Sequence, residues 1–214
     1  MVSINNKFIR FFRNSRGGTI AVAADKKLVT AAVAASINNN GTLTFAATST
    51  DTTLVSGTAG ASGNVLKAIN VAPATGVTAT LAGNVFATAI NTTGVGTLAL
   101  GGTFTGNANF GADGTITAAG AITGNVDNST GGDNIGLLET ADGIGVSGTI
   151  GATNSIRKLK INSGTSAFGG AIKAGFRVAL AGTGGNATFA DDVNSVPNSH
   201  VLVSFTQTPL LSTA

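Results

Sequence analysis

From about Asn38 onward the chain alternates apolar residues with small or polar ones in short runs, at residues 41–45, 77–81, 96–100, 114–118 and 176–180. Period-two alternation predicts β-strands with one row of side chains turned inward and the other toward solvent. Between the runs stand Asn39-Asn40-Gly41, Thr93-Gly94, Gly101-Gly102, Asp113-Gly114, Gly131-Gly132-Asp133 and Gly184-Gly185-Asn186. Gly and Asn tolerate the positive φ angles of tight turns, so these are the predicted corners. Only residues 65–69 show a helix-like spacing of apolar positions, which predicts a turn of helix there.

The strand runs repeat. GTLALGGTFTGNA at residues 96–108 returns 18 residues later as GTITAAGAITGNV at 114–126, with Gly, Thr and Asn in register and Leu and Phe exchanged for Ile. A shorter echo, ATLAGNV, lies at 79–85, and ATFADDV at 187–193 stands six such repeats beyond it. Periods of about 20 residues that are rich in β-formers and turn residues predict a solenoid of stacked strands, here an all-β, right-handed parallel β-helix. The alternative is an antiparallel β-sandwich, whose turns also recur every 8–12 residues or so. Like residues returning at fixed intervals favour the β-helix, because they stack from one coil to the next.

Composition narrows the picture. Gly is 31 of 214 residues and Pro only 3, with 43% hydrophobic residues, which is too apolar for a disordered linker. The apolar side chains are mostly small, and Trp, Tyr and Cys are absent. Narrow coils can be filled by such residues, with the 11 Phe as interior wedges. Without cysteine there is neither a disulfide framework nor a thiolate metal site. Residues 1–27 carry a net +5, while the remainder carries six basic and eight acidic residues, a net −2. A nearly neutral body lacks the basic stripe with stacking aromatics that nucleic-acid binding requires.

Three regions follow. Residues 1–37 form a basic and apolar segment, a predicted cap or degenerate export signal, since Asp25, Lys26 and Lys27 interrupt its apolar core. Residues 38–205 form the solenoid, and residues 206–214 a tail. No stretch is long and apolar enough to cross a bilayer as a helix.

TGNVDNSTGGDNIGL at residues 123–137, GTIGATNSI at 148–156 and ATFADDV at 187–193 resemble the passenger regions of rickettsial surface-antigen autotransporters of the outer membrane protein A and B type. The likeness extends over roughly residues 38–195. It implies an extracellular passenger that coats the bacterial surface, serves as a major antigen and contributes to adhesion to host cells. Members of that family end in a membrane β-barrel, and residues 206–214 lack the terminal aromatic of such a barrel. The expectation is therefore a passenger fragment, or a non-exported remnant of a split gene.

Candidate chemistry is sparse. Residues 143–148 fit G-x-G-x-x-G, but a strand and turn follow where a dinucleotide site needs a helix. His200 is the single histidine, with no nucleophile elbow, so neither a catalytic triad nor a multi-histidine metal site is expected. Asp113, Asp133, Asn134 and Asp142 stand beside glycines without the tandem nonapeptides of calcium-binding β-rolls, and read as turn residues. Asn40, Asn91, Asn128 and Asn186 lie in N-x-[ST] context, which is uninformative in a chain so rich in Asn and Thr. No cofactor is expected.

The best candidate surface is basic: Arg157, Lys158, Lys160, Lys173 and Arg177. Lys158 and Lys160 alternate with Leu159 and Ile161 and so point outward from one strand, and Arg177 falls about one coil later. Such a row would meet a sulfated glycan or an acidic host-cell receptor through salt-sensitive contacts. The competing reading is a solvated face that blocks edge-to-edge association. The functional expectation is thus a non-enzymatic surface antigen and adhesin that self-associates through uncapped solenoid ends. The alternatives are a glycan-binding or phage-tail-like fibre, and a β-helix enzyme, which would need acids grouped on one face.

Overall fold

The computed structural model describes residues 8–10, 17–46, 48–181, 186–194 and 204–205. The rest of the basic N-terminal stretch, the turn at Gly184-Gly185, His200 and the tail 206–214 lie outside the described residues.

Strands β1 (Phe8–Arg10), β2 (Thr19–Val22), β3 (Ala32–Ala34), β4 (Asn40–Phe45), β5 (Thr52–Val55), β6 (Thr58–Ala59) and β7 (Leu66–Val71) open the chain. β8 (Thr78–Leu81), β9 (Val85–Thr92), β10 (Thr97–Leu100), β11 (Phe104–Phe110), β12 (Thr115–Ala118), β13 (Ile122–Thr123) and β14 (Val126–Asn128) form the middle. β15 (Leu137–Thr140), β16 (Ile156–Ile161), β17 (Thr165–Phe168), β18 (Ile172–Leu180), β19 (Asn186–Phe189), β20 (Val193–Asn194) and β21 (Ser204–Phe205) complete it. No helix occurs among the described residues.

Among the described residues every strand-to-strand pairing is parallel, and the strands stack as a β-solenoid of about eight turns. Parallel pairing throughout excludes the sandwich, whose sheets are antiparallel. Each coil crosses three faces. The first carries β3, β6, the start of β9, the start of β11, β13, β17 and β19. The second carries β2, β4, β7, the rest of β9 and β11, β14, the start of β18 and β20. The third carries β5, β8, β10, β12, β15, β16, the end of β18 and β21.

The sequence repeat is this stack. Thr97, Leu98, Ala99 and Leu100 pair with Thr115, Ile116, Thr117 and Ala118, and Ala108 pairs with Val126. Alternation fills the interior with rows of like residues: Leu43, Ile69, Ile90, Ala108 and Val126 on one face, and Ala79, Leu98, Ile116, Leu138, Leu159 and Val178 on another, all buried. Burial of each Leu or Ile contributes roughly 1.5–3 kcal/mol against the conformational entropy of ordering the coil.

Coil length is not constant. Stacked partners lie 18 residues apart at Asn91 and Asn109 but 26 apart at Thr44 and Asn70. The echo at residues 187–193 is therefore displaced to another face: Ala79 pairs with Leu98 on the third, whereas Ala187 pairs with Ser166 on the first.

The predicted helical turn at 65–69 is not formed: residues 66–69 belong to β7, and Val65 leads into it. Lys67 and Ala68 both face outward where the coil turns from the first face to the second, so buried Leu66 and Ile69 stand three apart and imitate a helical period. The corresponding corners of later coils hold Gly106 and Gly124, with φ of 137° and 143°. A Cβ on Gly124 would run into the carbonyl of Gly106 below it, so coil spacing and backbone conformation together require glycine. Within the N-terminal segment, β2 pairs with β4 and β3 with β6, as part of the stack.

Candidate interaction surface

The third face carries the predicted basic residues on its last coils. Buried Leu159 and Ile161 turn inward from β16, leaving Lys158 and Lys160 outward and half-buried. Lys158 pairs in register with Leu137 on one side and Arg177 on the other. Upstream, the same outward row consists of Thr78, Thr97 and Thr115.

Three of the five cations are committed to carboxylates. Arg157 Nε donates to Asp113 Oδ1 at 2.9 Å, Lys160 Nζ to Glu139 Oε1 at 2.6 Å, and Lys173 Nζ lies 3.7 Å from Asp133 Oδ1. Asp113 also accepts from the Gly136 backbone N–H (2.9 Å), and Glu139 from Asn162 Nδ2 (3.3 Å). Burial pushes the Glu139 carboxyl up, but the hydrogen bonds from Lys160 and Asn162 and the charges of Lys160 and Lys158 outweigh it and hold the group below its ordinary value. Asp133 is held low chiefly by the Ser155 backbone N–H (2.7 Å) and hydroxyl (3.0 Å), with Lys173 adding to the effect.

Lys158 and Arg177 are different. Neither makes an ion pair among the described residues, and they occupy directly opposed positions on neighbouring strands. Arg177 Nε is buried with no hydrogen-bond partner among the described residues, so its side chain lies along the protein surface instead of standing out into solvent. The neighbouring Phe176 is 60% exposed. It is pushed out by a β-bulge: Gly175 and Phe176 of β18 oppose Arg157 alone on β16, between the pairs Ile156–Ala174 and Lys158–Arg177. Gly175 permits this bulge, because the side chain of Asn134 fills the space where a Cβ would stand. The expectation that every Phe is an interior wedge thus fails at Phe176; Phe45, Phe104, Phe110 and Phe168 do fill the core.

A second feature was missed in the sequence. On the second face Asn70 Nδ2 donates to Thr44 Oγ1 (3.2 Å), Asn91 Nδ2 to Asn70 Oδ1 (2.9 Å) and Asn109 Nδ2 to Asn91 Oδ1 (3.0 Å). The recurrence of Asn91 and Asn109 after 18 residues was the available signal. Asn128 is fully buried, donating to the Gly132 and Ser155 carbonyls and accepting from the Thr130 N–H and hydroxyl. It is a structural clamp and offers no free amide for modification.

The turn acids serve in the same way. Asp25 accepts from the backbone and hydroxyls of Ser49 and Thr50, with the Ser49 hydroxyl (2.7 Å) as the main cause of its lowered pKa. Residues 143–148 run from a turn at Gly143 to a bend at Ser147-Gly148, with Val146 between them bridging Ile122 and Phe168, and no helix follows. Among the described residues no group of three or more His or acidic side chains is placed to hold a metal, and no helix is long and apolar enough to cross a membrane.

No family model and no solved structure matches the chain. Outer membrane protein A of Rickettsia rickettsii is 44% identical over 48 residues, which is 22% of this chain and 2% of that protein's own length. Part of this β-solenoid is therefore similar in sequence to a small part of a rickettsial outer membrane protein.

Proposed function

We propose that the chain is a non-enzymatic bacterial cell-surface protein, a stretch of an exported β-solenoid passenger that serves as antigen and adhesin toward host cells. The observation that carries this reading is the 44% identity to the rickettsial outer membrane protein, found in a chain built as a stack of parallel coils. Solenoids present extended repeated surfaces, which suits recognition by a host receptor or an antibody. The acids support the non-enzymatic part. Asp25, Asp113, Asp133 and Glu139 are each engaged in bonds that tie one coil to another. A hydrolase would need two such groups free and facing one substrate.

The test is protease shaving of intact source cells, with the released peptides identified by mass spectrometry. Peptides from residues 38–195 are expected from intact cells. Their release only after lysis would overturn the surface reading and leave a retained remnant.

A further inference from the structure

We infer that Lys158, Arg177 and Phe176 together form a binding site for a sulfated polysaccharide, with Arg157, Lys160 and Lys173 as its structural surround. The inference rests on the adhesin reading and narrows it to a ligand class and a residue set. Three observations point to it. First, Lys158 and Arg177 are directly opposed like charges, an arrangement that destabilises a sheet, in a row otherwise made of threonines and a leucine. The other three basic residues of this region each have a carboxylate within ion-pair distance; among the described residues, which include all nine acidic residues of the chain, these two have none at that distance. A rule broken locally, with only the longer-range attraction of Lys158 to the already paired Glu139 to offset it, marks a place where something else supplies the balance. An anion bridging two strands about 4.8 Å apart would convert the repulsion into two attractions.

Second, Arg177 is laid down against the protein, with Nε shielded from solvent, so little side-chain entropy remains to be lost on binding. Third, the bulge that carries Phe176 outward places an aromatic ring next in sequence to Arg177. Cations beside an exposed ring suit a ligand with both anionic groups and apolar C–H faces, as sulfated sugars have. A small inorganic anion would leave the ring unused.

The measurement is binding of the full chain to immobilised heparin across a salt series, alongside fully desulfated heparin and hyaluronan. Wild type is expected to bind heparin with log K falling against log salt at a slope of about −1 to −2, as for two charge contacts to a polyanion. Desulfated heparin and hyaluronan, which keep only carboxylates, are expected to bind at least roughly tenfold more weakly. K158Q/R177Q is expected to lose heparin binding by about tenfold or more together with most of the salt slope. F176S should weaken binding about threefold with the slope unchanged, since it removes contact area and no charge. K26Q/K27Q removes the same charge from exposed lysines near the other end and should bind as wild type does.

Absence of wild-type heparin binding would overturn the inference, as would equal losses in K26Q/K27Q and K158Q/R177Q, or equal binding to hyaluronan and heparin. Adhesion of the wild-type protein to host cells, read in parallel, separates the two proposals. Adhesion without heparin binding sinks the site alone, and loss of both sinks the adhesin reading with it.

Discussion

Asn91 both donates to Asn70 and accepts from Asn109, so one side chain joins three successive coils of the second face. The ladder is half-exposed, and water takes over part of what is lost when a rung is removed. Asn91→Ala is expected to cost about 1–2 kcal/mol, read by chemical denaturation, from two bonds of modest net value. Gly124→Ala should cost more. Its backbone conformation alone is worth about 1–3 kcal/mol to any residue with a Cβ, and the Gly106 carbonyl leaves no room for one. A Gly124→Ala protein with unchanged denaturation midpoint would show that the corner is looser than its stacking implies. Phe176 lies at the opposite extreme: it is exposed, so F176S should leave the midpoint within about 0.5 kcal/mol of wild type.

At the scale of strands, the pairing of β16 with β18 sets charge repulsion against sheet stability. Lys158→Thr restores the threonine of the upstream row and should stabilise the protein by about 0.2–1 kcal/mol, seen as a raised melting temperature that vanishes at high salt. A fall in melting temperature would mean that the attraction of Lys158 to Glu139 exceeds its repulsion by Arg177. This outward row also shows how much was readable beforehand. The strands at 96–100 and 114–118 and their vertical stacking were legible, because those coils are short and share Gly-Asn corners. Longer coils with unlike corners left no common interval, which misled the reading of residues 187–193. The outward direction of Lys158 and Lys160, and the position of Arg177 one coil later, followed from alternation and spacing. Their ionic partners did not: Asp113 and Arg157 are 44 residues apart, two coils, a distance that no local pattern encodes. Phe176 was hidden for another reason, since the bulge interrupts the alternation that would have assigned it a face.

Across the whole molecule, carboxylates fasten coils that the hydrophobic rows alone only stack. Asp25, Asp133 and Glu139 all have pKa values lowered by the partners they hold in the folded state. A depressed folded pKa contributes stability that is present above the unfolded value, about 3.9 for Asp and 4.3 for Glu, and is lost as pH falls through the folded one. Thermal stability is therefore expected to hold from neutral pH to about 5 and to drop on further acidification. Asp133→Asn should flatten that drop, and an unchanged profile would remove Asp133 from the account. The register of the two 18-residue coils carries one more consequence, for the gene. Thr115 occupies in its coil the place that Thr97 holds in the one before, so a segment of that length can be lost or copied with every neighbouring strand still finding a matching edge. Unequal recombination between the two adjacent copies adds or removes whole codons, so the reading frame is kept and the height of the protein changes by one strand spacing, about 4.8 Å. Its length can thus drift between lineages while its faces, and whatever they bind, stay in place.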